Sequence, residues 1–176
     1  MQKERRHPLE KFFAGMTEYA FECRLGFADP PLVDYIAEML ARFCRSDDIF
    51  SVRNPTGQRL VQVADMLIEA QARQGAARRY VHRHIGDFTL FWSGIYPEIA
   101  DRMRRAAKKD ALIDYQAQGK QAYYIASTIP VEKEFVPSEV LHRLSKQFEL
   151  CVDGLSEVRR QWENEQGDFG LAILIN

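Results

Sequence analysis

The sequence predicts an all-α single domain, an irregular bundle of six or seven helices, and three observations carry that expectation. Apolar residues recur at a spacing close to 3.6. Prolines, glycines and small polar residues stand where helix ends need them. No stretch shows sustained period-two alternation, and no Asn-Gly hairpin turn occurs. With 176 residues the chain is long enough for one substantial core and short for two.

The spacing predicts helices near 9–24, 30–45, 56–74, 76–94, 97–106, 109–127 and 137–165. Gly26 supplies a C-terminal cap for the first and Gly75 for the third, since glycine enters the left-handed region without a Cβ clash. Asp29-Pro30 pairs an N-cap carboxylate with proline at the first helical position, and Asn54-Pro55 repeats the device. The second helix carries a stripe of Leu32, Tyr35, Ile36, Met39, Leu40 and Phe43. The third carries Leu60, Val63, Ala64, Leu67 and Ile68. Tyr96-Pro97-Glu98 and Val136-Pro137-Ser138-Glu139 open the later helices, each with an acidic residue where the helix dipole favours it. The last helix shows Val140, Leu141, Leu144, Phe148, Val152, Leu155, Val158 and Trp162 on one side. Residues 1–168 form the helical domain, and 169–176, ending LAILIN, read as an apolar tail that folds back or docks on a partner.

Composition narrows the function classes. Hydrophobic residues make up 46% and charged residues 28%, the balance of a folded soluble chain. A net charge of −1 gives no bulk reason for nucleic-acid binding. The apolar runs are too short for a membrane span, and MQKERRHPLEKFF lacks the apolar stretch of a secretory signal, which favours a cytoplasmic protein. Cys23, Cys44 and Cys151 are too scattered for a disulfide framework or zinc knuckle and read as small core hydrophobes.

The chemistry concentrates in RRYVHRHIGDFTLFWSGIYPE, residues 78–98. On a helix His82 and His84 point to nearly opposite sides, so they cannot share one ion. His84 flanks the apolar face of Val81, Ile85, Phe88, Trp92 and Ile95, and Asp87 stands three residues later, within touching distance. That pair reads either as a buried histidine satisfied by a carboxylate or as a proton-relay element. Metal binding would need Glu18, Glu22, Glu38 or His142 from other helices, and no Glu-x-x-His motif is present, so no metal or cofactor is assigned. Gly86 and Ser93 lie on one side and invite a close helix, which makes this the central helix. A second stretch has a small-residue seam of Ala111, Tyr115, Gly119, Ala122 and Ala126, flanked by Asp114, Lys120, Tyr123 and Tyr124.

Nucleophile-elbow, P-loop, dinucleotide, zincin and EF-hand motifs are all missing, which leans against an enzyme. The run R-x-x-G-D-x-x-L-F-W-x-G-x-Y-P-E, Arg83 to Glu98, with the later Asp114-Tyr115, Gly119 and Tyr123, resembles a group of uncharacterised bacterial proteins. The resemblance implies a bacterial, cytoplasmic, all-helical domain and carries no catalytic residues.

Three functional expectations follow. The first is a non-catalytic domain that binds a protein partner or a second copy of itself, in a regulatory or adaptor role. The second is a small-ligand or metal site using His84 and Asp87 with Tyr115, Tyr124 and Lys120. The third is anion or nucleic-acid binding through Arg102, Arg104, Arg105, Lys108 and Lys109, with Arg73, Arg78, Arg79 and Arg83 nearby in sequence.

Overall fold

A computed structural model describes residues 8–44 and 46–166. Within them the chain is all-helical without a strand, as the periodicity predicts. The order is α1 (Pro8–Glu18), a π-helical turn (Tyr19–Arg24), α2 (Pro30–Phe43), α3 (Ser46–Ile49), α4 (Val63–Ala72), α5 (Gly75–Ile95), α6 (Pro97–Ala106), α7 (Tyr115–Thr128), α8 (Ser138–Lys146) and α9 (Phe148–Gln166). The apolar tail at 169–176 lies outside the described residues.

Helix α5 is the axis of the domain, with α4, α6, α7 and α9 packed against it. Every residue from His84 to Phe91 is buried, so the central position expected of this helix is correct. Glycines make the close approaches. A Cβ at Gly86 would lie 2.6 Å from the Tyr123 ring of α7, and one at Gly94 would lie 2.5 Å from Leu155 of α9. A Cβ at Gly119 would meet Thr89 at 2.4 Å and Phe148 at 2.5 Å. The seam of α7 is therefore real over Tyr115, Gly119, Ala122 and Ala126, which are all buried, whereas Ala111 precedes the helix and is exposed.

Several boundaries differ from the periodicity, each for a local reason. The first helix changes to π spacing at Tyr19, where Ala20 and Phe21 turn inward and the Phe21 ring meets Gly154. Asn54-Pro55 does not start a helix. The Asn54 side-chain oxygen accepts from the Thr56 and Gln58 amides, forming a side-chain-closed turn, and Gly57 sits at φ +85° where a helix cannot continue. The same residue type serves helix caps and turns, so the dipeptide alone does not choose between them. Helix α4 consequently begins at Val63, seven residues later than expected. Its cap comes from far away in sequence, with the buried Asp110 carboxylate accepting from the Val63 and Ala64 amides at 2.8 and 2.9 Å. Helix α7 starts at Tyr115 rather than near 109 because Asp114 caps it, accepting from the Gln116 and Ala117 amides. The long C-terminal helix is two, divided at Gln147, where Phe148 turns into the core against Tyr123. The cysteine expectation holds for Cys151, which is buried, but Cys44 is only half-buried and Cys23 is exposed.

Arginine side chains tie the helix ends together. Arg79, itself buried, donates to the carbonyls of Ala126 and Val136 and to Ser138, which fixes the end of α7 to the start of α8. Arg143 grips the Asp29 carboxylate with two bonds of 2.7 and 2.8 Å, joining α8 to the cap of α2. Arg159 donates to the Ile95 carbonyl and to Glu98 while its guanidinium lies over Tyr96, bracing the junction of α5 and α6. Orphaned carbonyls at helix ends are what such donors satisfy.

Candidate functional site

The polar centre of the molecule is Asp87, 1% exposed in the middle of α5. A carboxylate there must find donors, because an unpaired buried charge is prohibitively costly. It finds three. Tyr35 of α2 and Tyr123 of α7 both donate to Oδ1, at 2.5 and 2.7 Å, and Arg42 of α2 reaches Oδ2 at 2.7 Å. Burial, followed by the Asp87 charge, raises both tyrosine pKa values well above the ordinary value, so the phenols stay protonated as donors. Burial works against the charged Arg42 guanidinium, but the Asp87 carboxylate outweighs it and holds the pKa above normal. The Arg42 side chain is 34% exposed and lies over Phe43, linking the buried charge to solvent.

His84 is not the partner of Asp87. Its Nδ1 lies 3.3 Å from Ser51 Oγ, which in turn lies 2.8 Å from the Tyr80 hydroxyl. The imidazole stacks on Tyr80 and touches Phe43 and Phe88. Burial pushes its pKa down to about 4, and the Asp87 charge only partly opposes that shift. At neutral pH His84 is an uncharged core residue, the reverse of the raised pKa that a touching carboxylate would give. His82, on nearly the opposite side of the helix from His84, is also buried. Helix α7 covers that side together with α4, which helical phase within one segment cannot reveal.

The other ligand candidates do not converge on His84 and Asp87. Tyr115 donates to Asp110 at 2.9 Å, Lys120 pairs with Glu149 at 2.7 Å, and Tyr124 is half-exposed beside His142. Glu18, Glu22, Glu38 and His142 are all exposed, and no group of three metal-binding side chains occurs among the described residues. Within the basic cluster, Arg104 pairs with Asp101, donates to the Ile113 carbonyl and lies over Tyr115, and Lys109 pairs with Asp65. Arg102, Arg105 and Lys108 are exposed on the surface. Arg73 is held by Glu69. No helix of the described residues is long and apolar enough to cross a membrane.

Sequence reasoning missed Tyr35, Arg42 and Tyr123 as partners of Asp87, and Asp110 as a long-range cap. The signal available was indirect: an aspartate inside an apolar helix requires donors, and tyrosines within apolar stripes are the ready source. Which tyrosines meet it depends on helix packing.

One surface cleft combines charge with exposed aromatic area. It has a volume of about 230 Å³ and lies between the first half of α5, at Tyr80 and Arg83, and the 129–137 connection, at Val131, Lys133, Phe135 and Val136. Phe135 is 81% exposed with the Lys133 ammonium 5.0 Å from its ring centre, and the Arg83 guanidinium lies 5.6 Å from that of Tyr80. Arg79 at the edge is answered by Glu134 at 3.7 Å, whereas Arg83 and Lys133 have no carboxylate within ion-pair distance among the described residues. Comparison with family models, with curated proteins and with solved structures returns no match.

Proposed function

We propose that the chain is a non-catalytic helical binding domain that recognises an acidic segment of a protein partner at the cleft between α5 and the 129–137 connection. The observation that carries this reading is Phe135, a large aromatic side chain left 81% exposed in a cleft lined by Arg83 and Lys133, which have no carboxylate partner among the described residues. Aromatic and arginine side chains dominate binding energy at interfaces, and exposed apolar area rimmed by charge marks docking surfaces. Charge complementarity selects an acidic segment carrying an apolar residue, the carboxylates facing Arg83 and Lys133 and the apolar group packing on Phe135 and Tyr80. The buried centre supports the non-catalytic part of the reading. Both oxygens of Asp87 are occupied by the chain's own donors, and His84 is enclosed by aromatic rings.

The test is fluorescence anisotropy with a labelled peptide of glutamates around a single leucine. Binding with Kd on the order of 10 μM is expected, weakened by salt and by Phe135→Ser or Arg83→Gln in variants with unchanged circular dichroism. Equal binding of a lysine-for-glutamate peptide, or tighter binding of a single-stranded oligonucleotide, would overturn the proposal. So would a dimer in sedimentation that Phe135→Ser dissolves, because a second copy would then be the occupant.

A further inference from the structure

We infer that the cleft between α4, α5 and α7 binds a small monocarboxylate with an apolar or aromatic body. This site is separate from the Phe135 face. Arg78 and His82, four residues apart on one side of α5, form its floor. Gln71 of α4 and Gln118 and Gln121 of α7 line its walls, and no acidic side chain contributes among the described residues. Leu67, Ala122 and Ile125 supply the apolar part.

The feature that asks for a ligand is His82. The residue is 4% exposed, yet neither ring nitrogen has a hydrogen-bond partner among the described residues, and the buried Arg78 Nε is unpartnered as well. Buried polar atoms are almost always paired in folded proteins, and a ring with both nitrogens unpaired asks for a bound partner. Burial and the neighbouring Arg78 charge push the His82 pKa down to about 4, so at neutral pH the ring offers one donor and one acceptor.

The chemistry of the lining selects the ligand class. Arg78 is the one formal charge among the described residues that line the site, and a guanidinium pairs best with a carboxylate or similar fork of oxygens. Glutamine amides and a neutral imidazole can orient such a group without repelling it. The cleft is about 250 Å³, below the roughly 300–1,000 Å³ of drug-sized sites. That size suits a compound such as benzoate or a branched-chain acid, with the ring or branch against Leu67 and Ile125.

The experiment is a titration of the full chain with benzoate, read by two-bond proton–nitrogen NMR of the histidine rings. Saturable shifts of the His82 nitrogens are expected, with Kd on the order of 1 mM or tighter, while exposed His142 stays still. Benzamide, which keeps the ring and loses the charge, should bind at least about tenfold more weakly, a difference worth about 1.4 kcal/mol. Arg78→Met should weaken benzoate by a similar factor. Arg78 is only half-buried, so this variant probes the site without cutting into the core. The absence of a saturable His82 shift, equal binding of benzamide, or undiminished binding by Arg78→Met would each overturn the inference. Inorganic phosphate binding as tightly as benzoate would also overturn it, because it would show a bare anion site without the apolar contribution. Failure here leaves the acidic-segment reading intact, since Tyr80 and Arg83 lie on another side of α5.

Discussion

Replacing Asp87 by asparagine tests the central network with the least change of shape. Oδ1 accepts from two phenols and Oδ2 from Arg42, so an amide cannot serve both sides. Turned toward Arg42, its NH2 meets a group that cannot accept, and turned toward the phenols it leaves both O–H groups without their acceptor. Breaking a buried pair by removing one partner costs about 3–5 kcal/mol. The low end is expected here, about 3 kcal/mol, because Arg42 is 34% exposed and recovers hydration. With a urea m-value of roughly 2 kcal/mol/M, the midpoint should fall by about 1.5 M. Tyr35→Phe alone should cost about 1.5–3 kcal/mol as the loss of a hydrogen bond to a charge. In the Asp87→Asn background the same change should cost nearer 1 kcal/mol, leaving a coupling of roughly 1 kcal/mol. Urea unfolding followed by circular dichroism measures all four corners of the cycle. A loss of under about 0.5 kcal/mol for Asp87→Asn at an unchanged m-value, or a Tyr35→Phe cost equal in both backgrounds, would refute the idea that this carboxylate organises the core.

His84 is neutral in the fold with a pKa near 4 and about 6.5 when unfolded, so its contribution is fully present above pH 6.5 and is lost as pH falls toward 4. Unfolding free energies from urea titration at pH 7 and 4.5 should therefore differ less in His84→Gln than in the parent, by about 2–3 kcal/mol, and an equal pH dependence of the two would contradict the buried neutral imidazole. Gly86→Ala forces a Cβ to within 2.6 Å of the fully buried Tyr123 ring, so thermal unfolding should show a net loss of about 1–3 kcal/mol despite alanine's better helix propensity. Gly15→Ala, with nothing within 4 Å, should gain up to about 1 kcal/mol, and the opposite signs are the check. Asp110→Ala removes the cap of α4 and strands the Tyr115 hydroxyl, costing about 2–4 kcal/mol together. Faster hydrogen exchange at the Val63 and Ala64 amides should accompany it, and unchanged exchange there would rule out the cap.

The run from Arg83 to Glu98 shows how much local sequence conveys. Its helical phase, the close approach at Gly86 and the restart at Pro97 are all legible, because each depends on residues within one or two turns. The Asp87–His84 pairing that the spacing suggests does not form, for the same reason. Spacing shows that two side chains can touch, but a carboxylate takes the strongest donors within reach, and here those come from α2 and α7. Asn54-Pro55 failed as a helix start because the bond that decides between turn and cap forms with the residues that follow, and Gly57 settles it.

The sequence by itself determined the all-helical class, most helix starts and the central position of α5, since capping and periodicity act over a few residues. Only the tertiary structure decided what surrounds each polar group. It set Tyr35, Arg42 and Tyr123 on Asp87, placed Asp110 at an amide pair some 46 residues away, buried His82 beneath two helices and left Phe135 in solvent. Those outcomes depend on how helix faces meet in three dimensions, where burial makes unpaired charge intolerable and packing selects the partner.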